Sequence, residues 1–296
     1  MDFLVKYWAG LLWVGLLCLV AIGGCIDRII EQQPPANPIR SKHYSGAPLS
    51  HNELSNLLDM ATYNGSPDKY GELTMRVENS KSKINHVVFS HLIHRAKYSC
   101  RVCHLELEFS MKSGTSDITM EDNRDGRFCG ACHDGVTAFS TEFSCNLCHV
   151  VPSKGVAFAS SEYEHLVEAL PGQDFGDKID WVAAVKEGSI KPAWSLYEDT
   201  KEASMPLPEH LKKPMQWYTN VPRVHVSFSH LDHTLWLDCA NCHPDIFKIE
   251  SFGTEEFDKE KNLYGLYCGM CHMNVAFPMN ACGRCHPGKI RALGRG

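Results

Sequence analysis

The sequence predicts a mostly irregular fold with short α-helices and minimal β-structure, built from two copies of one module. The first observation is a recurring Cys-x-x-Cys-His peptide, which occurs six times and accounts for twelve of the fourteen cysteines. The second is a repeat, because an offset of 139 residues relates His86 to His225 and Cys100 to Cys239. The third is size, since a module of about 65 residues has little apolar material with which to form a core.

Both modules have the same order of motifs. Module 1 is predicted over residues 85–155 and module 2 over residues 224–296, and each begins with Phe-Ser-His-Leu-x-His, at 89–94 and 228–233. The offset of 139 holds as far as Cys129 and Cys268 and falls to 137 at Cys145 and Cys282. The valine-rich segments 87–89 and 224–228 predict one short strand at the start of each module.

Composition excludes some functions. The chain has 296 residues, of which 44% are hydrophobic and 22% charged, as is typical of a soluble globular protein of one or two domains. Its net charge of −6 gives no electrostatic support for binding to nucleic acid. The unusual features are the fourteen cysteines and sixteen histidines, so the function is expected to depend on these two residue types.

The Cys-x-x-Cys-His peptides predict covalent attachment of c-type haem. Two thiols add to the two vinyl groups of the porphyrin, and the adjacent His is then placed to bind the iron. Disulfides or a zinc ribbon would also use Cys-x-x-Cys pairs, but neither requires a His after every second Cys. The porphyrins are therefore expected to form the module cores. The predicted attachment residues are Cys100, Cys103, Cys129, Cys132, Cys145, Cys148, Cys239, Cys242, Cys268, Cys271, Cys282 and Cys285.

In the order and spacing of these motifs, each module resembles a triheme c7-type cytochrome of the class III, or cytochrome c3, group. The shared pattern is Phe-x-His-x-x-His, a short spacer, Cys-x-x-Cys-His, a long loop, and two further Cys-x-x-Cys-His peptides separated by a short loop. The resemblance covers less than half of the chain. It implies six covalent haem c groups, low-spin irons with two His ligands each, and transfer of electrons one at a time.

The resemblance also implies a ligand set, in which the haems of each module are numbered by the order of their peptides. Each iron has a near-side His from its own peptide and a far-side His from elsewhere in the module. His91 is the implied far-side ligand of the first haem in module 1 and His94 that of the second, and His230 and His233 repeat these roles in module 2. The implied near-side ligands are His104, His133, His149, His243, His272 and His286.

The third haem of each module lacks the far-side ligand that the family provides. The family has a His in the long loop, but residues 105–128 and 244–267 contain none. Among the remaining histidines only His86 and His225 are equivalent by the repeat, so they are the predicted far-side ligands of the third haems. The alternatives are a Met ligand such as Met120, a His from the connector, or an open iron.

Residues 1–24 are predicted to be an export signal, because Lys6 precedes an apolar run from Trp8 to Ile22. Covalent haem attachment takes place outside the cytoplasm, which requires such a signal. The run ends in Ile-Gly-Gly-Cys, which resembles the lipobox of bacterial lipoproteins and predicts a lipid anchor at Cys25. The alternative is a retained signal anchor. The expected location is the periplasm or a membrane surface, including the outer membrane and its extracellular face.

Two further segments complete the predicted organisation. Residues 25–84 are expected to be a tether with one short helix, which begins at a Ser50-x-x-Glu53 capping box and packs on module 1. Residues 156–223 are expected to be a connector with one or two helices, one of them from Asp177 to Gly188. The tryptophans of this connector are expected to be buried, and they are Trp181, Trp194 and Trp217.

These features predict an electron carrier rather than an enzyme, namely a hexahaem relay in anaerobic or extracellular respiration. No catalytic constellation is recognisable outside the haem motifs. The expected partners are a quinol-linked membrane dehydrogenase and other multihaem cytochromes, with docking through acidic surface. One alternative is a multihaem reductase, which needs an iron with an open position. Another is a subunit of an extracellular haem filament.

Overall fold

The computed structural model describes residues 52–53, 56, 58–59, 62–75, 86–112, 114–150, 157–197, 206–218, 225–248 and 259–287. All of them belong to one compact unit, Lys42–Gly296. The predicted export signal, Cys25 and much of the predicted tether lie outside the described residues. Within the described ranges, no helix is both long and apolar enough to cross a bilayer.

The β-structure of the described ranges consists of two antiparallel sheets of two strands each. Strand β1 (Glu72–Met75) pairs with β2 (Val87–Ser90), and β3 (Met215–Tyr218) pairs with β4 (His225–Phe228). Strands β2 and β4 are those that the valine-rich segments predict. Their partners β1 and β3 precede the predicted modules and were not predicted, so each module completes its sheet with a strand from the segment before it.

The helices are short, and the predicted fold class, mostly irregular with short helices and minimal β-structure, is confirmed. Single turns of 3-10 helix occur at Pro67–Lys69, Phe128–Ala131, Glu209–Leu211 and Cys239–Asn241, and a π-helical turn at Val102–Glu106. The described α-helices are α1 (His91–Arg95), α2 (Met120–Arg124), α3 (Cys145–Cys148), α4 (Ala157–Ala169), α5 (Trp181–Lys186), α6 (His230–His233), α7 (Lys259–Leu263), α8 (Gly269–His272) and α9 (Cys282–Cys285).

A tight turn packs the second Cys-x-x-Cys-His peptide of each module against the helix before it. The glycines that follow α2 and α7 have φ values of +73° and +79°, which favour glycine. A Cβ atom on Gly130 would lie 1.8 Å from the carbonyl oxygen of Asn123, and one on Gly269 would lie 1.8 Å from that of Asn262. The repeated Gly-x-x-Cys-Gly sequence is therefore required by the turn in both modules.

The largest apolar cluster is shared by module 1, the connector and module 2. Leu92 comes from module 1, Ile179 and Trp181 from the connector, and Trp236 from module 2. The rings of Trp181 and Trp236 meet edge to face, with centroids 6.2 Å apart. Burial of Trp181 agrees with its predicted role. The connector therefore contributes to a core that neither module forms alone.

The connector helix is shorter than predicted. Helix α5 begins at Asp180, whose carboxylate accepts a hydrogen bond from the backbone N–H of Ala183 (3.1 Å), and it is followed by Gly188 with φ +76°. The predicted start at Asp177 is wrong, because the buried Asp177 carboxylate accepts from the N–H of Ile179 and forms a turn before the helix. The prediction allowed a second helix in the connector without giving its position, and the described structure has α4 there.

The predicted short helix near residue 50 lies partly within the described residues. Asn52, Glu53, Asn56, Leu58 and Asp59 are helical, whereas Ser50 of the predicted capping box lies outside the described ranges. The helix was predicted to pack on module 1. This is wrong for Leu58, which packs against the buried Leu263 of module 2.

Candidate haem sites

The described structure brings both thiols of each Cys-x-x-Cys-His peptide and its His into one helical turn. In five of the six peptides the backbone N–H of the His donates to the carbonyl of the first Cys four residues earlier, at 2.8–3.0 Å. All twelve cysteines are free thiols. Within the described ranges, no three His, Cys, Asp or Glu side chains gather where they could hold a metal ion directly. The twelve described cysteines therefore form no disulfide.

Most of the implied ligand histidines are oriented by a hydrogen bond from Nδ1 to a backbone carbonyl. In module 1 the acceptors are Gly71 for His91 (2.9 Å), Ser90 for His94 (2.8 Å), Phe109 for His104 (2.8 Å) and Phe139 for His133 (3.0 Å). In module 2 they are Ser229 for His233 (2.7 Å), Phe247 for His243 (2.6 Å), Phe277 for His272 (2.9 Å) and His225 for His286 (3.0 Å). A ring whose Nδ1 donates in this way presents Nε2 to a metal, as metal-binding histidines do.

Two pairs of these rings have the centroid separation expected of two imidazoles bound to one iron. The ring centroids of His94 and His133 are 6.2 Å apart, and those of His233 and His272 are also 6.2 Å apart. Two metal–nitrogen bonds of about 2 Å each, plus roughly 1 Å from each nitrogen to its ring centre, give about 6 Å. Each separation therefore fits two imidazoles on opposite sides of one iron, and the residues at the second haem of both modules fit the group.

A phenylalanine at the head of each module holds both far-side histidines. The Phe89 ring lies 4.8 Å from the His91 ring and 4.5 Å from the His94 ring. Phe228 makes the same contacts at 4.8 Å and 4.4 Å in module 2. The Phe of the Phe-Ser-His-Leu-x-His motif is thus a packing residue that fixes the direction of both imidazoles.

Burial keeps these imidazoles neutral, which is the form that binds iron. Burial lowers the pKa of His91 to about 3 and that of His272 to about 4, although a backbone hydrogen bond opposes the shift in each case. Burial also lowers the pKa of His94 and His233. At neutral pH none of these side chains carries a proton that a metal would have to displace.

The described contact of His225 is made by its backbone, and its predicted far-side role stays a prediction. Its backbone carbonyl accepts from Nδ1 of His286, the implied near-side ligand of the third haem in module 2. Nδ1 points away from an iron bound at Nε2, so the backbone of His225 lies on the near side of that haem, whereas its predicted role requires its imidazole on the far side. In module 1 a backbone bridge joins Val87, the residue after His86, to His149, and the far-side role of His86 stays a prediction.

The first haem peptides of the two modules lie next to each other. The N–H of Cys100 donates to the carbonyl of Trp236 (3.0 Å), and the Arg101 guanidinium lies 3.4 Å from the Asp238 carboxylate. Burial, followed by the neighbouring Cys100 thiol, raises the pKa of Cys242 to about 11 and that of Cys271 to about 12. Cysteines that are bonded to haem are thioethers and do not titrate. The shifts show only that the thiols of different modules lie close together.

A buried ion pair from the connector completes this junction. The carboxylate of Asp177 binds the Arg95 guanidinium (3.0 Å) and accepts from the Trp181 indole N–H (2.6 Å). Arg95 also lies over the Trp181 ring, 4.9 Å from its centroid, and donates to the carbonyl of Val275 in module 2. Arg95 therefore links module 1, the connector and module 2 directly.

Sequence reasoning did not find the carbonyl of Gly71, strands β1 and β3, or the pair of Arg95 and Asp177. A backbone acceptor leaves no signature in residue type, and the two members of the ion pair are 82 residues apart. The sequence around Asp177 reads Asp-Phe-Gly-Asp-Lys-Ile-Asp-Trp, and nothing in it shows which of the three carboxylates is buried.

Comparisons with known proteins support the interpretation of the motifs. A family model for cytochrome c7 and related cytochrome c matches residues 87–150 and 226–287. Each matched segment contains all three Cys-x-x-Cys-His peptides of one module and begins one residue after His86 or His225. No curated protein matches the sequence.

Solved structures of multihaem cytochromes are also similar to this chain. A c7-type three-heme cytochrome domain is 35% identical, covers 27% of this chain and 93% of that chain, and has a TM-score of 0.25. The C-terminal hexaheme fragment of GSU1996 is 23% identical, covers 73% of this chain and 96% of that chain, and has a TM-score of 0.24. The dodecaheme cytochrome c GSU1996 is 23% identical, covers 73% of each chain and has a TM-score of 0.24.

Proposed function

This chain belongs to the cytochrome c7 and related cytochrome c family, whose multihaem members carry electrons, and on that basis we propose that it is an exported hexahaem relay of anaerobic or extracellular respiration. It is a haem c-binding protein with several attachment motifs. The proposal adds the number of haems, their ligands and their place in the cell.

Each haem is held by the two cysteines and the near-side His of one peptide, which makes six haems from six peptides. When bound, haem supplies an iron that gains and loses one electron. The protein contributes the orientation of the imidazoles, through Nδ1 bonds to backbone carbonyls, and their burial. The second ligand of the first haem is His91 in module 1 and His230 in module 2. The second ligand of the second haem is His94 in module 1 and His233 in module 2.

The facing pairs at 6.2 Å are the observation that carries this proposal. An iron with an imidazole on both sides has no position for a substrate, so its function is limited to electron exchange. The contact between the first haem peptides supports a route for electrons from one module to the other. Together these features favour a continuous relay over two independent carriers.

The proposed location and partners follow from the sequence. Covalent haem attachment requires export, and a lipid anchor at Cys25 would hold the protein at a membrane surface facing the periplasm or the outside of the cell. The net charge of −6 favours basic docking patches on its partners, which we take to be a quinol-linked membrane dehydrogenase and other multihaem cytochromes.

One observation favours a multihaem reductase as the second candidate. The backbone contact of His225 with Nδ1 of His286 favours a third haem in module 2 without His225 as its far-side ligand. An iron with a free far side could bind and reduce a small substrate. This candidate differs from the relay at the third haems alone.

The test is a haem count combined with electron paramagnetic resonance of the oxidised protein. Denatured and washed protein should retain six haems per chain, and the first two haems of both modules should give four low-spin signals of bis-His type. A colourless washed chain would contradict the cytochrome assignment. A high-spin signal at the third haems, with the other four low-spin, would support the reductase.

A further inference from the structure

At the first haem of each module, the near-side His and the Phe that packs on the far-side His have the same contacts in both modules. The near-side rings of His104 and His243 both bond to a Phe carbonyl. The Phe contacts of His91 and His230 have the same centroid distance of 4.8 Å and nearly the same angle. The far-side ligands differ in the hydrogen bond at Nδ1, which His91 makes and His230, within the described ranges, does not. The two modules can therefore be compared for the effect of that bond.

In module 1 the bond comes from Gly71. Its carbonyl accepts from both the backbone N–H of His91 (3.2 Å) and the His91 ring Nδ1–H (2.9 Å). Gly71 has φ +87°, a conformation that glycine adopts without strain, and it immediately precedes strand β1. The glycine therefore turns its carbonyl toward the imidazole at the point where the sheet begins.

In module 2 the equivalent position cannot provide this carbonyl. The register pairs Leu73 with Phe89 and Met215 with Phe228, so Lys213 stands where module 1 has Gly71. Lys213 precedes Pro214, and a residue before proline is restricted to extended conformations. Among the described residues, the buried Nδ1 of His230 has no hydrogen-bond partner.

We propose that this difference orders the two first haems, so that the first haem of module 2 has the higher reduction potential and electrons cross the junction from module 1 to module 2. A carbonyl that accepts from Nδ1–H makes the imidazole a stronger electron donor, which stabilises the ferric state and lowers the potential. His91 receives this effect and His230 does not. The inference rests on the proposed bis-His ligation of both haems.

Charged side chains at the junction are paired and do not oppose this order. Arg95 is bound by Asp177, and Arg101 by Glu106 and Asp238. Lys186 is bound to Asp232, next to His233, at 2.5 Å. Since each of these positive charges faces a carboxylate, its field at either haem is reduced, and the hydrogen bond remains the clearest difference between the two sites.

The test is a redox titration of the haem-loaded full chain, with the haem methyl signals followed individually by nuclear magnetic resonance. In the natural protein the first haem of module 2 should be reduced before that of module 1. His91 should show an exchange-protected Nδ1–H resonance, and His230 should show none. Simultaneous reduction, or earlier reduction of the module 1 haem, would overturn the inference.

A double substitution can transfer the bond to module 2. Lys213→Gly with Pro214→Glu recreates the Gly-Glu sequence that precedes β1, and it should produce a protected Nδ1–H on His230 and a downward shift of that haem alone. The matched control is Lys213→Ala with Pro214→Glu, which makes the same charge change without the freedom of glycine and should leave the order of reduction as it is. A protected Nδ1–H on His230 without a downward shift in the reduction potential of that haem would contradict the proposal. If the variant does not form the bond, the order of reduction in the natural protein decides the question.

These outcomes separate the inference from the proposed function. If either first haem proves to be high-spin or lacks a second imidazole, the ligand set is wrong and the proposed function fails at that site. If both are bis-His and the order is reversed, only the role assigned to the Gly71 carbonyl fails.

Discussion

Modules 1 and 2 have the same arrangement at their proposed second haem sites but differ around their proposed first haem sites. The opposed rings are 6.2 Å apart in both, and the Nδ1 acceptors follow the same pattern. Strands β1 and β3, by contrast, come from unrelated segments, and only β1 brings a glycine carbonyl to the far-side His. Residues within the repeat therefore form the proposed ligand pairs, whereas residues outside it make the surroundings of the two proposed first haems differ.

The largest expected effect tests the shared part of this comparison. His94→Ala and His233→Ala each remove one of two opposed imidazoles, so each should convert one low-spin haem to high-spin and leave the others unchanged. Electron paramagnetic resonance of the oxidised protein measures this directly. Equal changes in both variants would support equivalent sites, whereas an unchanged spectrum in either would show that another residue binds that iron.

The matched control for these variants is His225→Ala. Its contact with His286 is made by the backbone carbonyl, which alanine retains, so no new high-spin haem should form. A new high-spin signal would instead restore the far-side role that the repeat predicts for His225.

Local motifs explain why much of the site was predictable. The Cys-x-x-Cys-His peptides, the Phe-Ser-His-Leu-x-His motifs and the Gly-x-x-Cys-Gly turns act over a few residues, so spacing along the chain determines their geometry. The ligand of the third haem was not predictable in this way. Equivalence by repeat selected His225, but repeats preserve backbone roles as well as side-chain roles, and here the backbone carbonyl makes the described contact.

Contacts across long separations were not predictable either. The β1 and β3 pairings, the packing of Leu58 on module 2, and the pair of Arg95 with Asp177 join segments that carry no shared motif. Each depends on how the connector and the upstream segment pack, which is decided by the shape of the assembled modules. The sequence therefore predicts the individual haem sites better than the junction between them.

The second prediction concerns that junction. Asp177→Asn keeps an oxygen that can accept from Trp181 but leaves the largely buried Arg95 without its carboxylate, and loss of one partner of a buried pair costs about 3 kcal/mol. Denaturant unfolding followed by haem absorbance should show this loss. The junction haems should also shift to higher potential, because the positive charge of Arg95 is no longer balanced.

Asp180→Asn is the matched control for Asp177→Asn. Asp180 pairs with Arg284 at 2.9 Å, but both side chains are partly exposed and Asn also caps helices. The expected loss of stability is below about 1 kcal/mol. Equal losses in the two variants would show that the buried pair has no special role in joining the modules.

The smallest expected effect tests whether the upstream helix belongs to module 2. Leu58 is partly buried and packs with Tyr264, Met273 and Met279 around the fully buried Leu263, so Leu58→Ala removes apolar contact from module 2 only. The loss should be about 1 kcal/mol, less than for a fully buried leucine. Hydrogen exchange should therefore accelerate in α7 and α8 and stay unchanged in α1 and α2. Faster exchange in α1 and α2 would place the helix against module 1, as the sequence predicts. Leu58 precedes module 1 in the chain, so faster exchange in α7 and α8 alone would show that the upstream segment connects the two modules.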